Sequence, residues 1–167
     1  MSQVNLKLEL ASYEYFDSFF QLKSEQGNIY WSGFSDVPNK LNLENHFCAA
    51  MESSSREFYL LLEDKKAIGY LYVDFDSKSK ELELAYGISQ HKNGRGLAKF
   101  MIKEGLSLTS KKAERVIAWV AASNIPSIKS VEALGFVKSS ETDDRMFELE
   151  TEPVKFYKYV KCSGNKL

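Results

Sequence analysis

The sequence predicts a mixed α/β fold, one sheet of about six or seven strands flanked by about four helices. Two observations carry this. Between residues 58 and 89, three β-rich segments follow one another across short polar turns, as in an antiparallel meander. From Gly94 onward the period changes, and strands alternate with amphipathic helices as in βαβ units. No repeat, low-complexity tract or linker divides the 167 residues, so one domain is expected over 1–167.

In chain order, Val4 to Leu10 alternates apolar and polar positions and reads as a strand. Ser12 is placed to cap a helix carrying Tyr13, Phe16 and Phe20 on one face. Residues 27–40 hold Gly27, Gly33 and Pro38 and read as a loop rich in aromatics (Tyr30, Trp31, Phe34). A second helix runs from about Leu41 to Met51. The meander consists of Phe58–Leu62, Ala67–Val73 and Glu81–Ser89, with the charged stretch Glu63–Lys66 in the first turn. A helix over 96–108, a strand over 115–120, a helix over 126–134 and a strand from Phe136 follow. Met146–Thr151 and Val154–Val160 are both extended in character, with Pro153 between them. Glu63–Lys66 and Glu141–Arg145 read as solvated turns.

Composition narrows the function classes. With 22 basic and 23 acidic residues the chain lacks the basic excess of a nucleic-acid binder, so nucleic acid is not an expected partner. Cys48 and Cys162 are far apart, and His46 and His91 are the only histidines, so no metal site is expected. No stretch has the length of a signal peptide's apolar core or of a membrane span. The expected location is the cytoplasm, with no membrane partner.

Two motifs carry chemistry. Asn93-Gly94-Arg95-Gly96-Leu97-Ala98 follows a strand and opens a helix. Glycines there let the backbone turn tightly and approach a ligand, and the helix start offers free N–H groups suited to a diphosphate. Taken alone, the same residues also make an ordinary tight turn. The other motif, Asn124-Ile125-Pro126-Ser127 followed by Glu132-Ala133-Leu134-Gly135-Phe136, reads as a capped helix closed by a C′ glycine before a strand.

Together, over about residues 57–137, the two motifs resemble the GNAT acetyltransferases, and in particular the ribosomal-protein acetyltransferase branch. The glycine motif is similar to that family's Q/R-x-x-G-x-G/A acetyl-CoA loop, with Asn93 in place of the usual Gln or Arg. The Asn124–Phe136 motif resembles the family's N-x-x-S/A…G-F element. The resemblance implies a centrally splayed sheet, with acetyl-CoA as acyl donor entering the gap beside Ile88. It also implies that the amides of residues 93–98 grip the pyrophosphate and that Asn124 and Ser127 line the CoA arm. Val131 stands where one branch has a tyrosine acid. Family members commonly dimerise, which leaves a homodimer open for this chain.

Amine acetylation needs a neutral amine, and a lysine-like amine with a pKa of about 10.4 is almost wholly protonated at neutral pH. Glu83 is the candidate base, because alternation puts it on one strand face with Ala85 and Gly87, two small residues that leave room for a ligand. Its alternative is a solvated strand face. The thiol of CoA leaves tolerably unaided, and Tyr157, on one face with Tyr159, is the candidate proton donor or else a packing aromatic. A backbone N–H near Ile88 would polarise the carbonyl. Trp31 and Phe34 are candidates for the acceptor pocket, with loop aromatics capping the core as the alternative. The acceptor is then an amine-bearing small molecule or a peptide or protein end. A catalytically weak, acetyl-CoA-sensing module of the same fold is the alternative function.

Overall fold

The computed structural model describes residues 5–162. Seven strands form one sheet in the order β1-β2-β3-β4-β5-β7-β6. They are β1 (Leu6–Leu10), β2 (Arg56–Glu63), β3 (Lys66–Asp76), β4 (Glu81–Ile88), β5 (Arg115–Ala121), β6 (Val137–Arg145) and β7 (Val154–Cys162). Five α-helices accompany them among the described residues: α1 (Phe16–Lys23), α2 (Gln26–Trp31), α3 (Lys40–Glu52), α4 (Leu97–Leu108) and α5 (Ile125–Ala133). The mixed α/β expectation holds, with one helix more than foreseen. Val4 lies outside the described residues.

Strands β1 to β4 are an antiparallel meander, β4 and β5 are parallel, and β7 enters antiparallel between β5 and β6. The feature that positions the site is the short parallel ladder. It pairs Glu81–Leu84 with Arg115–Ala118 and stops there. Beyond it, Ala85–Ile88 pair only with β3 and Trp119–Ala121 only with β7, so the sheet opens between β4 and β5. The splay therefore begins inside β4.

Two cores cover the two faces. Leu71, Val73, Leu82, Leu84, Met101, Ile102 and Val131 pack under α4 and α5. Phe16, Phe19, Phe47, Phe58, Leu60 and Tyr70 form an aromatic core under α1 and α3. Here Phe19 sits edge-on to Phe58 and Tyr70 at 5.6 and 5.9 Å. Gly105 lets α4 lie on β3, since a Cβ there would stand 2.3 Å from Leu71 Cδ2.

Several expectations are corrected. Part of the 27–40 loop is helix α2; six residues are too few to show a period, and what fixes the helix is burial of Asn28 and Ile29. Ser12 makes no side-chain cap: the chain enters α1 through a 3-10 turn at Tyr13–Tyr15, leaving Tyr13 exposed and burying Phe16 and Phe19. Met146–Thr151 is no strand. Phe147 turns inward against Tyr30, Trp31 and Phe156, and the Glu150 N–H closes a turn onto the Phe147 carbonyl. Glu141–Arg145 is no turn either but the exposed end of edge strand β6, where charge guards an open edge.

Candidate active site

After β4 the chain makes a 3-10 turn, Gln90–Lys92, and then the glycine loop. Gly94 and Gly96 take φ of +80° and +69°, and a Cβ on either would meet nothing within 4 Å. Their role is thus conformation plus an open surface. Gly96 is the N-cap of α4 and supplies no side-chain cap; the first helical bond runs from Phe100 N–H to the Gly96 carbonyl at 3.1 Å. The N–H groups of residues 97–99 are therefore surplus to the helix and face a loop with room for an anion. Leu97 anchors the start by burying its own side chain, while Ala98 is half-buried.

Three corrections concern this loop. Counted three residues ahead of Gly94, the Gln/Arg position of the family pattern falls on His91, which is exposed on the 3-10 turn, rather than on Asn93. The Arg95 side chain turns back to Glu63 at 2.9 Å, where it joins Lys92 at 2.8 Å. Glu63, expected in a solvated turn, is instead only 11% exposed in its side chain and pins the glycine loop to the β2–β3 hairpin. Lys92 first, then Arg95, hold its carboxyl below the ordinary carboxylate range.

Across the opening stands α5. Asn124 is its N-cap and accepts from Ser127 N–H at 3.4 Å, as a capping asparagine should. The Ser127 hydroxyl hydrogen-bonds the Tyr86 phenol. Tyr86 lies on the α4–α5 face with Leu82, Leu84 and Ile88, and burial pushes its phenol up to about 12, so it stays protonated at neutral pH. Tyr86 is not among the candidates singled out from the sequence.

On the other face Glu83 is exposed, as is Ala85. Glu83 lies level with Asp74 on β3 and Ile117 on β5, and Asp74 in turn holds Arg56 through two hydrogen bonds of 2.6 and 2.9 Å. The space expected over Gly87 is not free. A Cβ there would fall 2.6 Å from Asn28 Oδ1 and from Tyr70 Cε1, so Gly87 makes room for α2 and Tyr70, and only Ala85 keeps an open surface. Tyr157 stands on β7 opposite Val120, on the α4–α5 face and one strand from the opening, with the Lys138 ammonium 4.1 Å above its ring. Its neighbour Tyr159 is buried in the core, and Val131 is wholly buried.

A further group, which the sequence did not reveal, joins the two sides. The Glu25 carboxylate accepts from Ser89 Oγ and Gln90 N–H, both at 2.8 Å, and Gln90 Oε1 accepts from Gly27 N–H at 2.7 Å. The buried Asn28 amide donates to the carbonyls of Ile88 at 3.3 Å and Leu22 at 3.2 Å. These bonds fasten α2 to the end of β4.

Next to this clamp is a cavity of about 460 Å³ between α3, the α2–α3 loop and the sheet, reaching Arg56 and Tyr72. Tyr72 is level with Ala85, so the cavity adjoins the exposed part of β4. Phe34, a candidate for the acceptor pocket, lines it. Trp31 does not: it packs edge-on to Tyr30 at 4.8 Å and to Phe147 at 6.4 Å. His46, on α3, also lines the cavity, a position that nothing in the local sequence marks out. Among the described residues no group of three or more His, Cys, Asp or Glu could hold a metal ion, and no helix is long and apolar enough to cross a membrane.

The sheet thus opens between two parallel strands, with an uncapped glycine-led helix start suited to an anion on one face and a cavity suited to a small molecule on the other. A profile of the acetyltransferase (GNAT) domain matches residues 5–137, and the chain belongs to that family. Among solved structures it is similar to a spermidine N-acetyltransferase from Vibrio cholerae, in complex with CoA and spermine, with a TM-score of 0.80 at 17% identity, covering 94% of this chain and 95% of that one. It is also similar to a GNAT-family acetyltransferase from Streptococcus pneumoniae, with a TM-score of 0.73 at 15% identity, covering 95% and 99%. No curated protein matches by sequence.

Proposed function

We propose that the protein is an N-acetyltransferase that moves the acetyl group of acetyl-CoA to a primary amine by direct attack in a ternary complex. The observation that carries this is the end of the β4–β5 ladder at Leu84 and Ala118, which opens the sheet between the glycine loop and the cavity. Acetyl-CoA supplies the thioester carbonyl. The loop residues 93–98 offer backbone N–H groups to its diphosphate, and Asn124 and Ser127 border the arm from α5. Backbone near Ile88, where the strand has left β5, offers hydrogen bonds to the pantetheine arm and the carbonyl oxygen.

In the transfer an N–C bond forms, the C–S bond breaks, and the amine proton must leave. Glu83 is the base: it is exposed on the acceptor face, on the same side of β4 as the opening residues Ala85 and Gly87. The thiolate departs and is protonated by water or by Tyr157. Tyr157 stands on the opposite face from Glu83, as donor and base on either side of the thioester would. The buried Val131 provides no acid, and the likeness to the ribosomal-protein branch rests on the Asn124–Phe136 element. The proposed location is the cytoplasm, with a homodimer as the form open to the family.

Thermal unfolding with acetyl-CoA, beside ATP and NAD, tests the donor: ligand at about a hundred times its Kd adds roughly 2.7 kcal/mol of stability. An amine panel read as CoA release then tests the reaction. Glu83→Gln is expected to lower kcat about 10²–10⁴-fold with acetyl-CoA affinity retained. Binding without any amine-dependent CoA release would favour the sensing module instead.

A further inference from the structure

The acceptor cavity contains a cation that makes no ion pair among the described residues. Lys23, at the end of α1, lines it, and its ammonium reaches Ser32 Oγ at 2.9 Å and Tyr70 Oη at 3.3 Å, 4.5 Å above the Tyr70 ring. Both oxygens are neutral, and none of the ion pairs among the described residues includes Lys23. Of the other charged side chains on the wall, Arg56 is paired with Asp74, while the exposed Asp36 carboxylate keeps its charge and accepts Val37 N–H of its own loop at 2.8 Å. An ammonium held in a pocket by a hydroxyl, a phenol and a ring face has donor capacity left for an anion.

Its position says where that anion belongs. The Tyr70 ring packs over Gly87, the part of β4 that has lost its β5 partner, so Lys23 stands behind the opening where the amine must react. We propose that the acceptor is a small amine bearing a carboxylate close to the amino group, a free α-amino acid, with Lys23 and Ser32 as the carboxylate subsite. The proposal rests on the acetyl-transfer reading above. A cavity of about 460 Å³ suits such a molecule. It disfavours polyamines, whose every charge would repel an unpaired Lys23 at short range. The same ammonium lowers the cost of losing the acceptor's proton, since a nearby positive charge favours the neutral amine.

The test compares CoA release with methionine and phenylalanine against their decarboxylated amines, a Met-Ala dipeptide and spermidine, using wild type, Lys23→Met and Lys23→Arg checked for folding by thermal melting. Expected is a preference of at least about tenfold in kcat/KM for the amino acids, lost in Lys23→Met and largely kept in Lys23→Arg. Equal or faster turnover of the decarboxylated amines, the dipeptide or spermidine overturns the proposal and leaves amine acetylation standing. If no amine is acetylated the reaction itself is refuted, and the subsite is then judged by calorimetry with N-acetylmethionine: binding weakened about tenfold by Lys23→Met supports it, and undetectable or unchanged binding overturns it.

Discussion

Substituting Gly96 by alanine separates the two things a glycine does at this helix start. At φ +69° and ψ +22° the residue is left-handed, which costs an L-residue about 1–2 kcal/mol. The added methyl group meets no protein atom within 4 Å, so no packing penalty joins that strain. Each kcal/mol lowers Tm by roughly 2–4 °C in a chain of this size. The strain is present with and without ligand and therefore cancels from the dissociation constant of the folded protein. Any change in acetyl-CoA affinity then measures the methyl group against the ligand itself. Calorimetric titration is expected to show a loss of at least about tenfold, or about 1.4 kcal/mol. Gly105→Ala is the control. There the helix-propensity gain of about 1 kcal/mol opposes overpacking of about 1–3 kcal/mol against Leu71, 2.3 Å away, so Tm falls while affinity holds. An unchanged dissociation constant in Gly96→Ala, with Tm lowered as foreseen, would refute the diphosphate reading of the loop.

Three further outcomes follow from the geometry. Glu63→Gln removes the anion that holds Lys92 and Arg95, and is expected to speed amide exchange across residues 92–98 and to weaken acetyl-CoA several-fold in titration. Because the folded Glu63 carboxyl is depressed, its contribution is complete above the unfolded value of about 4.3 and is lost as pH falls through the lower folded value; wild-type melting should show that acid loss and Glu63→Gln should not. Lys65→Gly relieves a left-handed residue (φ +68°) in the two-residue β2–β3 turn and is expected to raise stability by about 1 kcal/mol in urea unfolding. Tyr86, raised to about 12, favours the fold below its unfolded value of about 10 and loses that contribution as pH rises toward 12; ultraviolet titration against Tyr86→Phe should find this phenol ionising well above the ordinary tyrosine range or only on unfolding.

What the sequence made legible was local. Strands β2, β3 and β4 stand out as β-rich runs between polar turns, and α4 and α5 carry both a period and end signals in Gly96, Asn124 and Gly135. The glycine loop was legible for the same reason, since positive φ leaves a mark in residue type. What stayed hidden was long-range. Helix α2 exists because Asn28 and Gly27 find partners some sixty residues away in Ile88 and Gln90. Phe147 reads as a strand residue until its inward contacts with Tyr30 and Phe156 are known. Lys23 resembles any basic residue closing a helix, and Glu63 any turn acid, because a charge carries no sign in sequence of which distant group it will face.

The bonds from Glu25, Gly27 and Asn28 to residues 88–90 make α2 and the end of β4 one stiff piece. A wall of the acceptor chamber is consequently bolted to the segment that leads into the phosphate loop. Widening the chamber at α2 requires either snapping several part-buried bonds at once or dragging Ser89 and Gln90 along, and with them the approach to Gly94. Selection that enlarges the chamber for a bulkier guest at this point would loosen the grip on the donor, whereas remodelling at α3 and the 32–39 loop, outside the clamp, is free of that penalty.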